Sequence, residues 1–123
     1  MARVRPATDN EKIERDRLCH SEWGAELTLA QFLDREIALR SHAWPKRALT
    51  TWLLEDSDGL VLASCETYEM RGSQGPIHGF ASVFTEPALR GRGHASALVS
   101  EVNRGLPAAI LFSEVGTRPY VKA

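Results

Sequence analysis

Thr85-Glu86-Pro87-Ala88-Leu89-Arg90-Gly91-Arg92-Gly93-His94-Ala95-Ser96 joins an apolar run to an amphipathic one through two glycines and two arginines. Before it, Phe80-Ala81-Ser82-Val83-Phe84-Thr85 has the aromatic and β-branched content of a strand. After it, Ala95, Leu98, Val99 and Val102 recur at helical spacing. The glycine-rich turn therefore opens a helix. A helix start presents backbone N–H groups without intrahelical partners and the positive end of the dipole, and glycine admits a ligand where a Cβ would block it. The expected guest is a phosphate group. Two familiar phosphate motifs do not apply: the chain has no Gly-Lys pair for a Walker loop, and Ser96 stands where a dinucleotide fingerprint needs its third glycine.

Working outward, Gly105 is placed to end this helix and Pro107 to prevent its resumption before a strand at 108–112. Upstream, residues 49–55 and 60–68 flank Asp56-Ser57-Asp58-Gly59, whose Asp-Gly pair marks a tight hairpin turn. Residues 71–76 form a looser turn into the strand at 77–85. Nearer the start, residues 3–7 read as a strand, and Thr8-Asp9-Asn10 offer capping oxygens for a helix at 11–20. Thr28 and Gln31 form a capping box for a second helix ending near Ser41, and Ser21-Glu22-Trp23-Gly24 is expected as the loop between the two. The expected order is β-α-α-β-β-β-α-β, an α/β fold.

The chain of 123 residues is expected to form one domain. Its net charge of -1 gives no global attraction to nucleic acid or an anionic membrane, so neither is expected as a partner. No apolar stretch approaches the roughly 20 residues of a bilayer span, and Met1-Ala2-Arg3-Val4-Arg5 lacks the apolar core of a secretion signal, so a cytoplasmic protein is expected. Cys19 and Cys65 are expected as buried thiols. His20, His42, His78 and His94 lack metal-site spacing, and no metal is implied.

Arg90, Gly93 and Ala95 spell Arg-x-x-Gly-x-Ala, with a proline before it, a strand leading in and a helix following. This resembles the pyrophosphate-binding motif of the GCN5-related N-acetyltransferases, the GNAT superfamily. Ala-Ser-Val-Phe-Thr, Arg-Gly-Arg-Gly-His-Ala-Ser and Leu-Phe-Ser-Glu-Val-Gly are also similar to the branch containing fungal lysine acetyltransferases and their bacterial relatives. The resemblance implies a mixed, mainly antiparallel sheet with helices on both faces and acetyl-coenzyme A as cofactor. The backbone N–H groups of Gly91, Arg92, Gly93, His94, Ala95 and Ser96 would hold the pyrophosphate, with Arg90 or Arg92 adding charge. The backbone of Val83, Phe84 and Thr85 would meet the pantetheine arm. Ser113 matches a pantetheine-facing position, though a serine there is also ordinary turn chemistry.

Acetyl transfer to an amine needs a neutral nucleophile, donors aimed at the thioester oxyanion and an acid for the departing thiolate. By resemblance, Tyr120, which follows Gly116 at the family's spacing, is the acid. Pro119 departs from the family pattern at the position before it. Glu66 and His78 are the candidate bases, with Tyr68 on the same strand as Glu66; strand alternation does not say which of them face the cleft. Trp23 is a candidate wall of the amine pocket, or else a core residue near a helix end. The family pattern continues beyond this tyrosine with a further helix and strands, whereas the sequence ends at Val121-Lys122-Ala123. An incomplete sheet is therefore expected, with the open edge of the last strand inviting a homodimer or aggregation. Three functions follow: an N-acetyltransferase acting on a primary amine, with a lysine-like small molecule as acceptor; a non-catalytic domain binding coenzyme A or a protein partner; and a generic phosphate-binding α/β domain.

Overall fold

The computed structural model describes residues 2–111. Its elements are β1 (Arg3–Pro6), α1 (Asp9–Trp23), α2 (Leu29–Arg40), α3 (Ala43–Ala48), β2 (Leu49–Glu55), β3 (Val61–Gly72), β4 (Gly75–Phe84), a 3-10 turn (Pro87–Leu89), α4 (His94–Arg104) and β5 (Ala109–Leu111). The strands lie side by side in chain order, antiparallel throughout except where β5 runs parallel to β4. This is the expected mixed sheet.

The local signals explain most boundaries. Thr8 and Thr28 each accept a hydrogen bond from the backbone N–H three residues on, and Glu11 and Gln31 reach back to the cap N–H groups, closing both capping boxes. At the β2–β3 turn, the Asp56 carboxylate accepts from the N–H groups of Asp58 and Leu60, and Gly59 takes φ +85. Three expectations need correction. α1 continues to Trp23, so the segment expected as a loop is the helix's last turn, with Gly24 as its cap. A Cβ on Gly24 would lie 2.1 Å from the Phe32 ring, which fixes glycine at that stop. The turn expected to be loose is tight: Gly72 pairs with Gly75, leaving only Ser73 and Gln74 between the strands. α3 carried no expected element; its Pro45 sits in the first turn, where a missing N–H costs nothing.

Consecutive strand residues point to opposite faces, which sorts the helices. Cys65 joins Leu54, Ala63 and Phe80 beneath Leu98, Val99 and Val102 of α4. Its neighbour Ser64 meets Arg15 of α1 on the other face. The two faces are built differently. α4 presents an apolar stripe, whereas the buried residues of α1 are Arg15, Asp16 and Cys19. Asp16 is held to α2 by a bidentate pair with Arg40 at 3.0 and 2.8 Å. Burial pushes the thiols of Cys19 and Cys65 up to about 12, so neither is a thiolate at neutral pH. No helix among the described residues is long and apolar enough to cross a membrane.

A carboxylate cluster ties β1 to α1 and β2. Arg5 donates to both oxygens of Glu11 at 2.8 and 2.6 Å and to Glu55 at 2.9 Å, while Arg3 reaches Glu55 at 2.6 Å. The Arg5 hydrogen bonds, helped by the Thr8 N–H, hold the Glu11 carboxyl down at about 2 from an ordinary 4.5, and Arg5 and then Arg3 lower Glu55. A carboxyl lowered in the folded state stabilises it above the unfolded pKa and loses that contribution as pH falls through the folded value. The urea midpoint is therefore expected to hold steady down to the ordinary carboxyl value of 4.5 and to decline from there toward about 2. Arg5→Met should lower the midpoint at neutral pH and flatten the decline. An acid limb of the same depth in both proteins would remove this cluster as its cause.

Candidate functional site

The residues from Arg90 to Ser96 form a cradle at the end of β4. Arg90 is extended, while Gly91 and Gly93 adopt φ +83 and +79, and a Cβ built on either glycine meets nothing within 4 Å. Gly93 caps α4 without a side chain, and the helix's first backbone bond runs from the Ala97 N–H to the Gly93 carbonyl at 3.0 Å. The N–H groups of Gly91, Arg92, Gly93, His94, Ala95 and Ser96 donate to no backbone carbonyl among the described residues. The result is an open turn whose donors lack backbone partners among the described residues, at the positive end of a helix dipole.

The two arginines of the cradle divide their work. Arg90 spends its charge elsewhere: its Nε donates to the Thr85 carbonyl at 2.8 Å, and its Nη2 pairs with Glu22 at the end of α1. Its guanidinium carbon also lies 5.8 Å from the centre of the Phe84 ring. Arg90 thus staples the turn to α1, and the Thr85 carbonyl already has a partner. Arg92 is exposed and makes no ion pair among the described residues.

β4 carries a bulge just before the cradle. Ser64 pairs with Phe84 and Glu66 with Ala81, so β4 has one more residue than β3 between these pairs. Ser82 absorbs the irregularity at φ +53, the sole positive value outside glycine among the described residues. Beneath it, the buried Arg15 donates its Nε to Ser64 Oγ at 2.6 Å and its Nη2 to the Ser82 carbonyl. β5 pairs with β4 at His78, Gly79 and Phe80. Neither Ser82 nor Val83 has a ladder partner among the described residues.

The structure brings some of the other candidates to this end of the sheet. Trp23 meets Phe84 edge-on with centroids 5.7 Å apart and carries the Arg15 guanidinium 5.9 Å from its own centre. Glu66 lies opposite Ala81, beside the bulge, half-buried and on the α1 face. His78 is separated from them. It shares the α4 face with Phe80, lies about 20 Å along the strand from Phe84 at roughly 3.3 Å per residue, and pairs with Glu69 at 3.5 Å. Glu66 and His78 therefore do not face one cleft together. Tyr68, on the face of Glu66, stacks on Trp44 with centroids 5.1 Å apart, and burial raises its pKa. Ser113 and Tyr120 lie outside the described residues, as does the far end of the last strand.

Cavities flank the sheet at both of its ends among the described residues. One of about 190 Å³ lies between α1 and the β2–β3 end, beside Phe84; Leu18, Leu53 and Val61 wall it, and Glu11, Glu14, Glu86 and Arg15 supply its charged lining. Another, of about 500 Å³, lies at the opposite end between α3 and the β3–β4 turn. Neither Arg15 nor Ser82 carries a local signal that marks it as part of the site. A charged residue in a polar helix reads as solvated, and a bulge at serine leaves no glycine to mark it.

No protein-family profile matches the chain. Over 115 residues it is 31% identical to a lysine acetyltransferase of Yarrowia lipolytica, a match covering 85% of this chain and 29% of that protein. The chain thus spans under a third of that relative's length. Among solved structures, it resembles a GCN5-related N-acetyltransferase from Ralstonia eutropha, with a TM-score of 0.66, 20% identity and coverage of 99% of this chain and 90% of that one. It also resembles a predicted acetyltransferase from Clostridium acetobutylicum crystallised with acetyl-CoA, with a TM-score of 0.61, 19% identity and coverage of 99% and 88%. Identities this low speak for the fold alone.

Proposed function

We propose that the chain is a member of the GCN5-related N-acetyltransferase superfamily and an acetyl-coenzyme A-dependent N-acetyltransferase acting on a primary amine, a reading supported by its 31% identity to a lysine acetyltransferase and by its fold. The observation that carries this reading is the sequence of a bulged strand, an open glycine cradle and a helix start along one end of β4. The cradle fits a pyrophosphate because six consecutive backbone N–H groups there donate to no backbone carbonyl among the described residues, and Gly91 and Gly93 present no Cβ to the approach. Bound at this site, acetyl-coenzyme A supplies an acetyl group activated as a thioester.

The chain's own residues take the remaining roles in this reading. The backbone from Gly91 to Ser96 holds the two phosphates, with Arg92 adding exposed positive charge. Val83 and Phe84 offer backbone groups to the pantetheine arm. Glu66 is favoured over His78 as the base, because it lies beside the bulge rather than on the other face. Tyr120 serves as the acid and Ser113 as a further pantetheine contact. Trp23 walls the acceptor side, and the cavity beside Phe84, where Glu11, Glu14 and Glu86 outnumber the cation Arg15, suits an ammonium group on an apolar stem, as a lysine-like acceptor has.

Thermal unfolding with acetyl-coenzyme A tests this. Ligand at 100 times its Kd should stabilise the protein by about 2.7 kcal/mol, and adenosine diphosphate at the same concentration by much less. A melting temperature that neither compound moves would overturn the cofactor assignment. Equal shifts by both would favour a generic phosphate site.

A further inference from the structure

We infer that Arg15 is a positioning residue for the acyl group: from the α1 face of the sheet it fixes the Ser82 carbonyl and thereby aims the Val83 N–H at the cofactor. This rests on the acetyl-coenzyme A reading given above.

The geometry follows from a single peptide unit. Arg15 contacts Ser64 Oγ on β3 and the Ser82 carbonyl on β4 at once, so that carbonyl points toward β3 and α1. No described peptide bond is cis, and in a trans peptide the N–H points opposite to the C=O. The Val83 N–H is therefore turned away from β3, toward the β5 side of β4, where pairing with β5 is described only as far as Phe80. An ordinary ladder would have left this peptide's direction to β3; the bulge removes that partner, and Arg15 supplies the constraint instead.

The guanidinium also acts electronically. A charged donor on the Ser82 oxygen polarises the whole peptide, so the Val83 N–H becomes a stronger donor than an unassisted amide. Arg15 is buried at 8% exposure, so water does little to screen it. A preorganised donor aimed where negative charge develops on the thioester oxygen stabilises the transition state more than the ground state. Arg15 touches no reacting atom in this scheme, and it acts through one backbone amide. A role confined to packing would predict neither the direction nor the polarisation.

The test uses the full chain and acetyl-coenzyme A labelled with carbon-13 at the thioester carbonyl. In the wild-type complex the infrared carbonyl stretch is expected below its value in solution, and in Arg15→Gln it should return most of the way. Arg15→Lys, which keeps a cationic donor, should retain an intermediate shift. Removing an oxyanion donor outright costs about 100- to 1,000-fold in turnover, so removing its support should cost less, about 10- to 100-fold in kcat, with KM for acetyl-coenzyme A little changed. If Arg15→Gln does not fold, the wild-type protein still decides. The Val83 amide proton should move downfield with acetyl-coenzyme A and much less with coenzyme A, which lacks the acetyl carbonyl. An unmoved Val83 amide, or an unchanged carbonyl stretch in a folded Arg15→Gln complex, would overturn the inference. Failure of coenzyme A itself to bind the wild type would instead refute the cofactor reading on which it rests.

Discussion

Gly93→Val is expected to lower the affinity for coenzyme A by about a hundredfold or more, equivalent to about 2.7 kcal/mol. Two effects combine at this residue. Its φ of +79 is a conformation that a β-branched side chain adopts only under strain, at a cost of about 1–3 kcal/mol. The new side chain would also stand in the open space that a phosphate has to enter. Gly59→Val separates the two: Gly59 has φ +85 and equally open surroundings, but lies in the β2–β3 turn. Both variants should lose comparable stability in urea, and only Gly93→Val should lose binding by calorimetry. Affinity left intact by Gly93→Val, or reduced equally by Gly59→Val, would remove the pyrophosphate from this cradle.

Asp16→Ala should destabilise the fold by about 3–5 kcal/mol, because it strands the Arg40 charge against a largely closed interface. Asp16 is 4% exposed and the Arg40 side chain 19%, so water compensates little for the lost bidentate pair. Replacing both partners at once, as Asp16→Leu with Arg40→Met, leaves no uncompensated charge and should cost far less than the single change. Urea unfolding of the two singles and the double closes the cycle. A single variant within about 1 kcal/mol of wild type would mean that water reaches Arg40 when Asp16 is gone.

The same pair shows what sequence reading reached and what it missed. Elements marked by local chemistry were legible: the Thr28–Gln31 capping box, the Asp-Gly turn, and above all the strand–glycine–helix junction, whose periodicity and backbone demands are written in adjacent residues. α1 was harder. Its buried side chains are Arg15, Asp16 and Cys19, so it lacks the apolar stripe that reports which face turns inward, and its end at Trp23 is set by the distant Phe32 ring against Gly24. Side-chain direction on β3 and β4 depended on register, which the tight Gly72–Gly75 turn sets without interruption as far as the Glu66–Ala81 pair. The placement of Glu66 and His78 on opposite faces therefore had no local signature. Arg90 looked like a phosphate ligand because its nearest partners, Glu22 and the Thr85 carbonyl, are brought to it only by the folded chain.

The order of the strands bears on how the molecule assembles. Because β2, β3 and β4 are consecutive in the chain and joined by tight turns, their ladders close over short loops and carry a small entropic penalty. β1 meets β2 only after three helices intervene, and β5 returns to β4 only after α4. Local topology thus favours the meander as the first scaffold. The bulge belongs to that scaffold, whereas Arg15, which braces it, arrives with α1. A nascent meander would carry Ser82 in a strained conformation with its carbonyl unclaimed, so the braced bulge is a late product of folding and reports that the helical layer has docked.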